Sequence, residues 1–544
     1  MATALVARDT ENRNSPDRSS LRLLWEDIAR YLLPREARFT EETVSGILRS
    51  RELLDSTGAR ALELFASFLH TLLNNPSTQW IDIGLLGQTD SALSNTAVKR
   101  WLEEVSNITM GAVSGPLSTL YADLHTAYLF LGAFGTAVLY AEDGGNGLVR
   151  TRHFHLEDVT IEEDVSGFID VVLRKSKFNK RQIQQRWPGV PPSAFGASLM
   201  KDERRQGIDI LHAVFPTSDA AMTEHMTKQQ LGVVKNFPYA SVWVNAVDSV
   251  TISVGGFEEF PYVVPRWYKD RSSPYGRSPG MTVHPDVRMT NRMMETILRG
   301  AEKLVDPPLV LRAGSLISPL RLAPGGLTFS DTDVKPEPLI PPGASRIEYG
   351  QALLRSRQDA IREGFFTPLF ATPESPIKTA TQVLQEADER NRAIAPMLIR
   401  MYQELFHRLV ARIFGILSRA GAYPPPPGEI ANAELSVRYV SPLVASHRQV
   451  EALGALRTAE GILPWAQADP SVLDNFNTDA IAEVVHAGSA APMKILNTPA
   501  KIKDIRKQRE EQEKLAVAQQ LIPAIEAGAK VQQAQAAQTR AERT

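Results

Sequence analysis

Residues 273–280 read SPYGRSPG, and residues 283–304 read VHPDVRMTNRMMETILRGAEKL. They open a block, 274–382, whose reading decides the fold. The run 283–304 has helical periodicity, and Pro285 is tolerated in a first turn. Residues 305–345 then hold 8 of the chain's 36 prolines, at positions 307, 308, 319, 324, 336, 338, 341 and 342. That density forbids a long helix and favours short edge strands and turns. Residues 346–364 return as helix, and FFTPLF at 365–370 cannot continue it past Thr367-Pro368. Two helices therefore flank an irregular excursion and bring the chain back to where it left. The block reads as a strut with a functional tip.

The first helix has a readable face. At about 100° per residue, Arg288, Arg292, Arg299 and Lys303 fall in one stripe roughly 60° wide. Met289, Met293, Ile297 and Leu304 fall on the opposite half, with Met294 and Leu298 flanking. Glu295 and Glu302 edge the basic stripe and are spaced to pair with it. Two readings of the stripe stand: a solvated face, or a face that meets nucleic-acid phosphates or acidic residues of a neighbour. The second helix places Leu353, Leu354, Ala360 and Ile361 on one side and Gln351, Arg355, Asp359 and Arg362 on the other.

Outward from this block, 544 residues imply two to four domains. Hydrophobic residues at 43% and charged residues at 22% are ordinary for a globular protein. With no cysteine, disulfides and thiolate metal sites are excluded. The N-terminus has no apolar core, so no signal peptide is expected. The longest uncharged run, 126–141, is sixteen residues and contains Gly132 and Gly135, short of the roughly 20 a bilayer span needs. A net charge of −2 argues against tight, stationary binding to duplex DNA, though not against transient contact.

Residues 1–19 are polar and read as disordered by composition, unless a neighbouring subunit holds them. Helices are expected over 20–34 and 51–75, closed by Pro34 and Pro76, and over 95–132, ending at Gly132. From 134 the period turns toward two, with strands in 134–178, 208–215, 239–246 and 258–268 and a short helix capped by Asn179. Six of the seven tryptophans precede residue 270, so 20–270 reads as one α/β body. Thr379-x-x-Gln382 reads as a capping box opening a helix to about 419, kinked near Pro396. ELSVRYV (434–440) is a lone strand that must pair with an earlier one. Two or three helices follow over 443–488, and the alanine- and glutamine-rich run from 500 is a helix that cannot stand alone.

Catalytic signatures are missing. There is no Gly-Lys-Ser or Gly-Lys-Thr, no G-x-G-x-x-G after a strand, no H-E-x-x-H and no G-x-S-x-G. His153 and His155 share a strand face as a metal pair would, but no third ligand is marked. No catalytic residue, metal or cofactor is assigned.

Several strings together resemble the portal (head-to-tail connector) proteins of short-tailed, podovirus-type bacteriophages. They are WEDIARYLLP (25–34), LDSTGARALELFASFLHTLLNNPSTQW (54–80), LGAFGTAVLY (131–140), SPYGRSPG, PDVRMTN (285–291), VDPP (305–308), TATQV (379–383) and VRYVSPL (437–443). Their order and spacing carry the resemblance, which spans most of the chain. Gln382 stands where the family leads one to expect an acidic residue, and it serves a capping box equally well. The last hundred residues match only in style.

The resemblance implies an α+β multidomain fold: an N-terminal arm and α/β wing (1–280), a two-helix stem (281–304 and 346–364) around a small proline-rich clip (305–345), a tunnel loop (365–378), a kinked long helix and wing strand (379–440), a helical crown (441–500) and a C-terminal barrel helix (501–544). It implies a homo-oligomeric ring, commonly of twelve, at the portal vertex of the capsid, assembled in the host cytoplasm. DNA is packaged and ejected through such a ring. Its partners would be double-stranded DNA, the terminase large subunit, a tail adaptor, and the major capsid and scaffolding proteins. Arg288, Arg292, Arg299, Lys303, Arg355, Arg362 and Lys378 become DNA-channel candidates, and Phe365, Phe366, Thr367, Leu369 and Phe370 tunnel-loop residues. Twelve helices about 10 Å apart make a circumference near ~120 Å, which leaves a bore of about 28 Å after subtracting a helix radius of about 5 Å. Duplex DNA passes through such a bore. Near-neutral charge suits sliding DNA, because each phosphate contact adds affinity. Two other readings compete: another phage head–tail structural protein, such as an adaptor or scaffold, and a nucleic-acid enzyme.

Overall fold

The computed structural model describes residues 1–40, 53–76, 78–85, 96–145, 147–191, 195–200, 207–307, 309–310, 337–338, 347–370, 396, 398–430, 435–439, 442–489, 495, 497, 501–514 and 535. They fall into two units. The first holds Met1–Asp82, Asn107–Tyr423 and Val437–Leu443, and the second holds Ile83–Ser106, Pro424–Ser436 and Val444–Thr544.

The chain opens with α1 (Ala2–Asn14), α2 (Pro16–Leu32) and α3 (Thr57–Leu73), then β1 (Ile81–Leu85), α4 (Thr96–Ser114) and α5 (Leu120–Phe134). The apolar positions of α3 recur every three or four residues: Ala61, Leu62, Phe65, Ala66, Leu69 and Leu73 are all buried. They pack on α5, which is apolar nearly all round and correspondingly buried. Gly132 does not stop this helix as expected. The helix runs on to Gly135, whose φ of +80° makes the left-handed cap that glycine adopts without a Cβ clash.

After Gly135 come β2 (Val138–Asp143), β3 (Val149–Phe154), β4 (Val159–Glu163), β5 (Ile169–Phe178), β6 (Ile208–Pro216), β7 (Tyr239–Asn245), β8 (Val250–Phe257) and β9 (Tyr262–Val263). β3, β2 and β9 form one sheet, and β4 to β8 form a second in sequence order. All of these ladders are antiparallel. Hairpins can join antiparallel strands directly, so the body needs no crossover helices. The expected α/β wing is thus corrected to an α+β body. The short helix Lys180–Arg186 carries the anticipated cap, a reciprocal Asn179/Gln182 box.

The N-terminal residues are helical and anchored within their own protomer, contrary to the expected disorder. Ala2 and Leu5 of α1 join the core under Leu211, Phe215 and Val242. Arg8 pairs with Glu162. Asp9 Oδ1 accepts from Thr160 Oγ1 at 2.9 Å, and Arg13 Nη2 donates to the Asp158 carbonyl at 3.0 Å. Composition misled here because the polar residues match a polar strand edge one by one.

The central block gives α6 (Pro279–Val305) and α7 (Ile347–Gly364), close to the expected 281–304 and 346–364. Of the proline-rich excursion, β10 (Leu309–Val310) and β11 (Glu337–Pro338) pair antiparallel. Residues 311–336 and 339–346 lie outside the described residues, as do 371–395, with Lys378 and the Thr379–Gln382 cap. The described part of the long helix is irregular at Tyr402–Phe406, a π-helical turn, and continues as α8 (His407–Arg419). The lone strand, β12 (Leu435–Tyr439), finds its earlier partner in β1.

In the second unit, Trp101 Nε1 donates to the Pro424 carbonyl at 3.0 Å. The unit includes most of α9 (Pro442–Ala468), then α10 (Thr478–Ser489) and a helical segment over 501–514. Arg506 of that segment pairs with Asp479 at 2.6 Å.

Candidate functional site: an antiparallel helix pair

SPYGRSPG builds the base of α6. Ser278 is its N-cap: Oγ accepts from the Met281 N–H at 2.9 Å and donates to the Ala133 carbonyl at 2.8 Å. Pro279 sits at the first helical position, where no N–H is needed. A Cβ on Gly280 would press on the carbonyls of Gly132 and Ala133, so only glycine lets α6 rest on the backbone of α5. The helix is therefore founded on the end of α5.

α6 is buried only near this foundation. Val283, His284, Val287 and Thr290 are its last buried residues, and none after Thr290 is. The remaining fifteen residues advance about 22 Å at 1.5 Å each. α7 runs back antiparallel beside it: Gly364 lies against Val283, Asp286 pairs with Arg357 at 3.4 Å, and Gly350 faces Ile297. The Leu309↔Pro338 and Val310↔Glu337 register continues the same antiparallel course beyond the helices.

A polar collar surrounds the base. Asn291 Oδ1 accepts from the Leu54 and Asp55 N–H groups at 2.8 and 3.1 Å, and Gln358 donates to Asp55 at 3.3 Å. Asp27 of α2 meets His284 Nε2 at 2.8 Å and Arg288 at 3.3 Å. Periodicity alone did not reveal these contacts, because each joins residues distant in sequence.

The basic candidates divide. Arg288 is tied to Asp27, Arg299 to Glu295 at 2.6 Å, and Arg362 to Asp359 at 2.6 Å. Arg292, Lys303 and Arg355 are exposed, and none has an ion pair among the described residues. The apolar positions divide too. Met293 and Ile297 are half-buried, and Leu354 and Ile361 are buried. Met289, Leu298, Leu304, Val305, Tyr349 and Leu353 are exposed, with Val305 at 87% and Tyr349 at 77%.

At the far end of α7, Phe365 is fully buried, its ring 6.1 Å from that of Phe65. The Phe366 ring lies 6.5 Å from Trp267. Phe365 is thus an anchor, correcting its assignment to a projecting loop: its apolar ring is drawn into the core beside Phe65. Phe366 has φ +59°, a conformation that costs a non-glycine residue about 1–2 kcal/mol. It turns the chain sharply into the helical turn Thr367–Phe370, which holds Thr367, Leu369 and Phe370.

The His153–His155 pair is packed inside the body. Their rings lie 4.3 and 5.4 Å from that of Phe130, and His155 Nδ1 accepts from the Glu157 N–H at 3.1 Å. Burial, with the charge of Arg38, pushes both imidazoles down to about 3.

A family model described as bacteriophage head to tail connecting protein matches residues 8–496. The chain belongs to that family. Two relatives match nearly end to end. A probable portal protein of Bordetella phage BPP-1 is 26% identical over 515 residues, covering 92% of this chain and 90% of its own. A portal protein of Salmonella phage epsilon15 is 23% identical over 530 residues, covering 94% and 92%. In this head–tail connector, α6 and α7 are the longest paired helices of the first unit to emerge from its core.

Proposed function

We propose that the chain is a phage portal subunit, which closes with further copies into a ring at one capsid vertex and conducts double-stranded DNA during packaging and ejection. The observation that carries this reading is the bare apolar surface of α6 and α7. A two-helix strut exposing Met289, Leu298, Leu304, Val305 and Tyr349 leaves apolar surface of the kind that marks an interaction site. Copies arranged around an axis cover it and form a wall. The family and the two relatives support the same reading.

In this assignment residues 1–280 are the arm and wing, 281–304 and 346–364 the stem, and 305–345 the clip. Residues 367–378 are the loop nearest the channel, 441–500 the crown and 501–544 the barrel helix. The clip docks the terminase large subunit and later a tail adaptor, while the body meets capsid and scaffolding proteins. Arg292, Lys303 and Arg355 are the basic residues best placed for brief phosphate contacts, since they are exposed and have no ion pair among the described residues. Twelve copies give the bore calculated above. Negative-stain imaging of the purified protein tests the proposal. Closed rings with a central channel are expected, and monomers or dimers alone at high concentration overturn it.

A further inference from the structure

A cleft of about 1240 Å³ lies in the first unit, lined by residues of β2, β3 and β5. At its wall sits Arg174, only 3% exposed. Its guanidinium is packed among aromatic rings: Phe154 at 4.1 Å, Tyr140 at 5.2 Å, Trp243 at 5.3 Å and Tyr262 at 5.8 Å. No carboxylate pairs with it among the described residues, and its Nε is buried without a hydrogen bond. Aromatic faces attract a cation, but they do not replace hydrogen-bond acceptors. A buried charge without a partner is costly, so this arrangement calls for an anion.

Among the described residues the cleft supplies none. Its five acidic side chains are already engaged. Asp123 accepts from Thr151 and the His153 N–H, Glu142 pairs with Arg186 and Glu157 with Arg22. Asp158 pairs with Arg38 and Asp209 with Lys175. Arg150 and Arg152, two residues apart on β3, are exposed and have no ion pair among the described residues. Three arginines of one cleft thus have no counter-charge among the described residues.

We propose that this cleft is a carboxylate socket between subunits, in which an acidic side chain of a second copy of this chain pairs with Arg174 and is flanked by Arg150 and Arg152. The proposal rests on the ring reading above. Depth favours a side chain: a carboxylate on a flexible stem reaches a guanidinium set among rings, whereas duplex DNA carries its phosphates on a stiff rod. Size favours a stretch of chain, since small-molecule pockets span roughly 300–1,000 Å³. Charge favours a second copy. The chain has 62 acidic against 60 basic residues, so with a basic surplus here the rest of it carries an acidic one.

The test compares wild type with Arg150→Glu/Arg152→Glu and Arg150→Lys/Arg152→Lys. Both residues are exposed on the strand, and circular dichroism and thermal melting establish that each variant folds. Mass photometry then gives the concentration at which rings form. Loss of rim charge should raise it about tenfold or more in the Glu variant, a change of ~1.4 kcal/mol, while the Lys variant stays near wild type. In rings mixed from light and ¹⁵N-labelled chains, carbodiimide should join Lys175 or Lys177 to an acidic residue of the other isotope. If wild type forms rings but the Glu variant assembles at the same concentration, the socket is wrong and the ring reading stands. Cross-links confined to one isotope also overturn it. Binding of a short DNA duplex that is lost in the Glu variant, with assembly unchanged, assigns the cleft to nucleic acid instead. Wild type that never forms rings removes the ring reading itself, and the socket with it.

Discussion

Arg266 gives three hydrogen bonds to Glu404 across the fold: its backbone N–H at 2.9 Å, Nε at 3.2 Å and Nη2 at 2.7 Å. Arg266 is 1% exposed and also pairs with Glu163, and Glu404 lies on the π-helical turn at Tyr402–Phe406. The pair fastens that turn to the segment leading into α6. Removing one member of such a pair strands the other. Arg266→Ala should cost about 3–5 kcal/mol, because the buried Glu404 keeps only Arg400 at 3.8 Å, and Glu404→Gln should cost less because it still accepts. Urea denaturation gives both values, and equal losses would contradict the assignment.

Gly364 of α7 leaves no space between itself and Val283 of α6. Gly364→Ala should force the pair apart at its base and cost ~1–3 kcal/mol, as overpacking does. Val283→Ala, added to it, should recover much of that loss despite removing apolar surface. A double-mutant cycle showing simple additivity would mean the helices are not in contact there.

The segment proposed as the clip should be replaceable. Val310 and Glu337 are cross-strand partners, so their backbones already stand a hairpin's width apart. Substituting Asn-Gly for residues 311–336 should leave the melting temperature of the first unit within a few degrees of wild type, because that dipeptide closes a two-residue hairpin. Docking of terminase and adaptor, measured by co-sedimentation, should be lost. Undiminished docking would remove the clip assignment.

Acid should weaken the body well above the range of ordinary carboxylates. His153 and His155 are held to about 3, and burial drives His212 well below its usual value too. Their folded pKa values lie below the unfolded value near ~6.5, so below that pH the unfolded chain takes up protons the folded one refuses. Stability is fully present above pH ~6.5 and falls toward pH ~3, by about 1.4 kcal/mol per pH unit for each histidine. Urea midpoints from pH 7.5 to 5 should show this slope. His155→Gln should flatten it, and an unchanged slope would clear His155 of any part in it.

Neutralising Arg292, Lys303 and Arg355 together to Gln should leave ring formation intact, since all three are exposed and none is paired among the described residues. The rate of DNA packaging in a reconstituted head should change. If rings fail to form, these residues serve the wall and not the channel.

The helix pair was the most legible part of the chain. Its apolar period and the proline-rich interval placed the end of α6 and both ends of α7 to within one residue, whereas α6 starts at Pro279, four residues before the periodic run, with Pro285 inside the helix and not in its first turn. Asn179 announced its cap for the same reason, the signal being local, and the structure adds the reciprocal Gln182 bond. What the sequence hid was non-local. Helix α1 depends on Glu162, Asp158 and Thr160, some 150 residues away, so composition read it as disordered. β8, VTISVGGF, has two glycines and little contrast between its faces, which obscured the strand period. Phe365 looked like a loop residue because Thr367-Pro368 follows it, and only the fold brings Phe65 to its ring. Arg174 gave one hint, a charge amid the apolar run Val171, Val172 and Leu173, but nothing in its own strand foretold the four rings from β2, β3, β7 and β9.

The two-residue ladder of Leu309–Val310 with Glu337–Pro338 also bears on descent. The interval between its strands can lengthen, shorten or be exchanged by recombination without disturbing the register of α6 and α7, and loop closure becomes only slowly more costly with length. The mount and whatever it carries are thus free to evolve at different speeds. If the tip docks motor and tail as proposed, altering it alone gives a lineage a new one, while Ser278, Gly280 and Gly364 keep the mount in place.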